Sequence, residues 1–284
     1  MLLGSALERF VEKAPVAVMV RGVLERVLNP DARNALDERA TAGQYTRDLL
    51  FSSVVGLMNL VVCRIHPSIH AAYQDHTEEI ATSIASVDNK LNGSETPTSR
   101  ALVRDTAKAM GEAVHALKGA RTPWLAGYRI KVLDGNCIEA THHRSAPLRG
   151  IGAGALPGKS LVIDEPQLEM ATAVFPCEDG PAQERSLLGA VLPTLEPGDV
   201  LIMDRNFCVR DFLHGIADRQ AYFICRQHQG LPWQPEGEER FIGRSETGAR
   251  YEQWVRVSDR GGATRRLRRI RIVLKQATRD GDRE

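Results

Sequence analysis

The sequence predicts a mixed α/β protein, with a helical N-terminal region, a helix-covered sheet and a β-rich C-terminal stretch. Three observations predict it. Apolar residues recur at helical spacing in Val16–Leu28 and Thr46–Arg64. After Arg121-Thr122-Pro123, short apolar runs begin to alternate with helical segments, the pattern of a mixed sheet with helices packed on it. From Arg226 onward, segments such as Gln253–Val257 and Arg268–Leu274 alternate apolar and polar residues, as strands do.

Each element has a local reason. Asn29-Pro30-Asp31 and Pro67 break the first helices. Ile80–Leu91 and Ser99–Leu117 read as two helices around the turn Asn92–Pro97, with Ser99 capping the second. Two helices around a turn fit a helix-turn-helix lying against DNA, or a plain helical hairpin in a bundle. Tyr128–Asp134 reads as a strand ended by Gly135-Asn136. Ser160–Asp164 and Met170–Phe175 read as two strands joined by a turn at Glu165-Pro166. Pro181–Leu192 and Val209–Arg219 read as helices, and Ala221–Cys225 as an apolar strand. Val200–Asp204 is a short apolar strand of the kind buried on both faces of a sheet. The glycine-rich Arg149–Gly158 lacks a GxxxxGK[ST] match and reads as a surface loop. The expected organisation is 1–120 helical and a candidate DNA-binding region, 121–225 the α/β core, and 226–284 a basic β-rich element.

At 284 residues the chain can bury a large core and hold two or more domains of roughly 100–200 residues. The net charge of +1 gives no sign of a polyanion partner, but its distribution does. From Arg240 to Glu284 there are thirteen Arg and Lys against six Asp and Glu. That is either a footprint for phosphate or an arginine-rich solvated surface. The five cysteines form no CxxC pair. This argues against a zinc ribbon or a disulfide framework and fits a reducing cytoplasm. The N-terminus has no signal-peptide pattern. Leu49–Val62 is too short and too polar to span a membrane, and reads as a buried helix.

Two apolar runs lead into an aspartate and a turn: Val132-Leu133-Asp134-Gly135 and Ile202-Met203-Asp204-Arg205. An acid at a strand's end sits beside water. Two adjacent carboxylates repel unless a cation lies between them. Mg²⁺ takes oxygen ligands, commonly carboxylates plus substrate phosphate, and a metal pair can clamp an in-line phosphoryl displacement. The plain alternative is that each Asp starts a turn.

The chain resembles the DDE transposases of bacterial insertion sequences, most closely the family named after insertion sequence four. The residues that carry the resemblance are Leu133–Thr141, the Ser160–Pro176 hairpin, and Pro197–Phe207 with its Gly198-Asp199 and Asp204-Arg205-Asn206. Asn89–Gly93 with Ser99–Val103 is similar to the family's helical DNA-binding region. The resemblance implies an RNase H-like mixed sheet, interrupted by a β-rich insertion starting near Arg226. It implies Asp134 and Asp204 as catalytic metal ligands for two Mg²⁺ (or Mn²⁺) ions. One ion would activate water to cut a transposon end, and the freed 3′ hydroxyl would attack target DNA. The implied partners are double-stranded DNA and transposon terminal inverted repeats, with a homodimer in synapsis, no membrane, and a nucleoid-associated location. The family's third acid, a Glu, follows the insertion on a helix in a Tyr, Arg, Glu, Lys signature that no segment here carries. The expectation is therefore a shortened transposase, inactive alone. A DNA-binding protein without catalysis is the competing reading, and an RNase H-like nuclease for RNA–DNA hybrids is a third.

Other residues have two readings each. Arg205 and Asn206 could contact a scissile phosphate or fix the carboxylate. His142 and His143 could touch phosphate or metal, or simply be loop residues. Glu139 could assist the site or be solvated. Asp164 and Glu165 fit a hairpin turn better than a metal role. Trp233 and Trp254 could stack on a flipped base or pack a core.

Overall fold

The computed structural model describes residues 12–41, 49–137, 159–177, 184–278, 281 and 283, with only the backbone of Asn136 and Cys137. The helices are α1 (Pro15–Val27), α2 (Pro30–Ala40), α3 (Phe51–Val62), α4 (Ile69–Asp75), α5 (Ile84–Asn92) and α6 (Thr96–Ala116). Strands β1 (Arg129–Cys137), β2 (Lys159–Glu165) and β3 (Met170–Cys177) follow. Then come α7 (Leu188–Val191), β4 (Asp199–Met203), α8 (Arg210–Asp218) and β5 (Tyr222–Cys225). The chain closes with β6 (Gln234–Arg244), β7 (Gly248–Ser258) and β8 (Thr264–Leu274). The mixed α/β class is as the sequence predicts. A five-stranded sheet has the order β3-β2-β1-β4-β5, and a three-stranded sheet the order β6-β7-β8. β1–β4 and β4–β5 are parallel, β2–β3 antiparallel. No described helix is long and apolar enough to cross a membrane.

Two compact units interleave along the chain: Met1–Trp124 with Asp134–Glu184, and Leu125–Leu133 with Arg185–Glu284. In the first, Leu49, Val54, Leu57, Ala72 and Val87 form one apolar cluster, and Leu36, Phe51 and Val55 another. α3 buries Phe51, Val54, Val55 and Leu57, while Val62 is 76% exposed, so it is an amphipathic helix rather than a wholly buried one. Polar groups tie the bundle together. Lys90 and Asp37, both buried, form an ion pair at 3.4 Å. The Thr41 hydroxyl donates to Asp37 at 2.9 Å and meets the Thr98 hydroxyl. Arg33 reaches the Val27 carbonyl and Thr106, and burial holds its guanidinium pKa below the ordinary value.

Helix α6 begins at Thr96, ahead of Ser99, and no side chain caps it. Pro97 fills its first turn, where a missing N–H costs nothing. α6 packs on α1, on α2 and on β3, and leaves exposed a stripe of Arg104, Lys108, Glu112 and His115. A helix used on several faces is a structural element of its bundle.

In the second unit β4 is buried through Asp199, Val200, Leu201 and Met203. α8 turns Phe212, Leu213, His214 and Ile216 inward. The His214 ring nitrogen Nε2 lies 3.1 Å from the Val257 carbonyl, joining α8 to β7. The expected helix over 181–192 is broken: Glu184–Leu187 and Leu192–Thr194 are 3-10 turns around α7, and residues 181–183 lie outside the described residues. Pro193 supplies no backbone donor there.

The register of β1 on β4 is clamped at its start. Asp199, 1% exposed, takes Arg129 at 2.6 Å and Lys131 at 2.8 Å. Its second oxygen also accepts the Glu196 amide at 2.8 Å, and Lys131 donates to the Thr194 carbonyl. Burial pushes the Asp199 carboxyl up, but the hydrogen bonds from Arg129, Lys131 and Glu196 outweigh it and hold it below its ordinary 3.8. A depressed carboxyl stabilises the fold above its unfolded value and loses that effect as pH falls through its folded value.

Asp199→Ala leaves Lys131 buried without its anion, which costs roughly 3–5 kcal/mol. Urea unfolding at pH 7 should show this loss, and the gap to the parent protein should narrow as the pH drops below about 4.

Candidate functional site

The ladder between β1 and β4 runs from Arg129↔Asp199 to Leu133↔Met203. Asp134 is the next residue of β1, and Asp204 the next after the end of β4. In parallel sheets the carboxyl ends of strands are where ligands bind. β5 pairs with β4 through Met203↔Cys225, so Arg226 follows at the corresponding position of the third strand.

Asp204 is shaped by its own turn. Its Oδ1 accepts the Asn206 N–H at 2.8 Å and caps the 3-10 turn Arg205–Phe207. Phe207, 1% exposed, pins that turn into the core. Asp134 accepts the Gly135 N–H at 2.8 Å. Both aspartates are exposed, and among the described residues the second oxygen of each accepts no hydrogen bond. Each carboxylate therefore uses one oxygen locally.

β1 does not stop at Gly135 as the sequence suggested. It runs to Cys137, with β2 as its other neighbour in the sheet. Gly135 serves a different purpose: a Cβ there would lie 2.5 Å from the Glu184 carboxylate. A glycine inside a strand often marks such a close approach, and that signal was present in the sequence. Glu184 itself, distant along the chain, carried none.

Arg185 is the other residue that sequence reasoning missed. Its Nε donates to the Asn206 carbonyl at 2.7 Å and meets Asn206 Oδ1 at 3.2 Å. Asn206 thus fixes the Asp204 carboxylate through its backbone amide, while its side-chain oxygen is held by Arg185. Arg205 is exposed and lines a groove of about 760 Å³ with Arg226, His228, Trp233, Arg269 and Arg271. Cys208 and Cys225 line the same groove.

Trp254 is 39% exposed, with the Arg266 guanidinium 4.2 Å from its ring centre. Arg269 stands 5.0 Å over the Trp233 ring. One face of each ring is therefore covered by an arginine. His142, His143, Glu139 and the 149–158 loop lie outside the described residues. Glu165 is 8% exposed and Asp164 pairs with Ala171 in the β2–β3 ladder, so both belong to the hairpin.

The basic C-terminal stretch is largely paired within its own sheet. Glu236 takes Arg256 and Arg266, Glu252 takes Arg240 and Arg268, and Glu239 takes Arg269 and Arg271. These arginines hold all three carboxyls below their ordinary value. Two arginines per glutamate leave a positive surplus along the strands.

Among the described residues, no group of three or more His, Cys, Asp or Glu is placed to hold a metal ion. No protein-family model matches the chain, and no curated protein matches it.

Arg185→Ala removes both contacts to Asn206, each hydrogen bond worth about 1 kcal/mol. Amide exchange at Asn206–Cys208 should speed up about fivefold, with β8 amides unchanged as the internal reference.

Proposed function

We propose that this chain is of the DDE transposase type. In this reading an RNase H-like core uses Asp134 and Asp204 to hold Mg²⁺ or Mn²⁺ for phosphoryl transfer on DNA. The observation that carries the reading is the Leu133↔Met203 pairing, with an aspartate one residue further along each of two adjacent parallel strands. The sheet order supports it, since β4 and β5 add in parallel beside β1 while β2 and β3 form an antiparallel hairpin on its other side.

The donor set fits a hard cation. Both candidates are carboxylates, and each keeps one oxygen out of the protein's own hydrogen bonds among the described residues. A bound cation pair would supply charge that stabilises the displacement at phosphorus. The chain's own residues have narrower tasks. The Asn206 amide orients the Asp204 carboxylate, and Arg185 holds Asn206 in turn. Arg205, in the turn after Asp204, brings positive charge suited to phosphate oxygens.

One observation favours a second reading: the β6-β7-β8 sheet carries a surplus of arginine. A protein with that balance could bind transposon ends as double-stranded DNA, as a homodimer, and compete with active transposases without cutting.

Mn²⁺ titration and plasmid nicking separate the two. Under the first reading, Asp134→Asn and Asp204→Asn each weaken Mn²⁺ binding tenfold or more, and Mn²⁺-dependent nicking disappears in both. Nicking that survives Asp204→Asn ends the site assignment. Salt-sensitive DNA binding with no nicking and no Mn²⁺ binding selects the second reading.

A further inference from the structure

Two cysteines meet at the end of the five-stranded sheet. Cys225 closes β5 opposite Met203, and its thiol donates to the Asp204 carbonyl at 3.3 Å. Cys208 follows the Arg205–Phe207 turn, with its amide bonded to the Arg205 carbonyl. Both cysteines therefore abut the same Asp204–Arg205 turn. Both thiols are free. Neither sulfur serves a metal-ligating group of three among the described residues.

The pair is also reachable. Cys208 is buried and Cys225 half-buried, yet both line the groove of about 760 Å³ in the second unit. Its walls hold Arg226, His228, Arg269 and Arg271, and a small anionic oxidant would find a favourable field there.

We propose that Cys208 and Cys225 are a modification site: a dithiol that a low-molecular-weight disulfide entering the groove converts to an intramolecular disulfide. In the first step the Cys208 sulfur attacks one sulfur of the small disulfide. An S–S bond forms to Cys208 and the other half leaves as a thiol, taking the Cys208 proton. In the second step the Cys225 sulfur attacks Cys208, the protein disulfide forms, and the second half leaves with the Cys225 proton. The protein dithiol loses two hydrogens and two electrons, and the small disulfide gains them as two thiols. The product ties the turn after Asp204 to the end of β5, across a pair of segments already hydrogen-bonded. This inference is independent of any metal or DNA chemistry at Asp204.

A disulfide needs its two Cβ atoms to approach closely, and the shared Asp204–Arg205 turn and shared groove bring Cys208 and Cys225 to one place. Cys63, by contrast, is exposed at α3's end and hydrogen-bonds Asn59.

The test is oxidised glutathione titrated onto the intact protein, followed by non-reducing peptide mapping. The expected result is a loss of two hydrogens and a single crosslinked pair, Cys208 with Cys225, reversed by dithiothreitol. Phenylarsine oxide, which captures paired thiols, should bind at one equivalent and protect the same two residues from alkylation. Cys208→Ser should leave only a mixed disulfide or nothing at Cys225. If that variant folds poorly, the mapping of the unsubstituted protein still decides. Oxidation confined to Cys63, a crosslink between other cysteines, or arsenical binding that persists in Cys208→Ser overturns the proposal.

Discussion

The ion cluster around Asp199 is the constraint on which the rest of the sheet depends. A parallel pair of strands gains no hairpin to set its alignment, so side chains must do it. A slip of one residue would turn every side chain to the opposite face. Asp199 prevents this by being buried with two cations from alternate positions of β1, Arg129 and Lys131. Any other alignment would leave Lys131 in the interior without an anion. The pairing of Leu133 with Met203 four positions on is thus constrained by charge at the far end of the strands as well as by the buried apolar residues between.

Much of this was legible from local pattern. The apolar run Val200–Met203 announced a strand buried on both faces, and it is one. The sequence also signalled the amphipathic α8 and the alternating strands β7 and β8. Boundaries failed where a distant partner decides. β1 outlasts Gly135 because its second neighbour, β2, comes from later in the chain. α6 starts before Ser99 because Pro97 sits comfortably in a first turn. At the site, Asp134 and Asp204 were visible as acids after apolar runs. Arg185 and Glu184 were not, since nothing in a stretch of polar residues says which backbone it will meet.

The arginine-rich C-terminal stretch shows the same limit in electrostatics. Counting charge along the chain from Arg240 gave a strongly positive segment, yet Glu236 and Glu239 lie just before it on β6. Strand pairing returns them to the arginines of β7 and β8. The field that a polyanion would feel is set by this two-to-one arrangement, and it is weaker and more evenly spread than the linear count suggests. Exposed pairs of this kind add little to stability. Their effect is on shape, holding long guanidinium side chains over aromatic rings such as Trp254 and Tyr251.

Helix α6 has a consequence for how the N-terminal half is inherited or lost. One of its sides rests on β3, with Gly111 in van der Waals range of Leu168 and Arg100 lying over the Phe175 ring. Its other sides complete the helical bundle. An ancestral recombination or a nuclease cut that severed the gene near codon 120 would not release a self-sufficient module. It would leave the β2–β3 hairpin with its greasy side facing water, so helices α1–α6 and that hairpin must travel together.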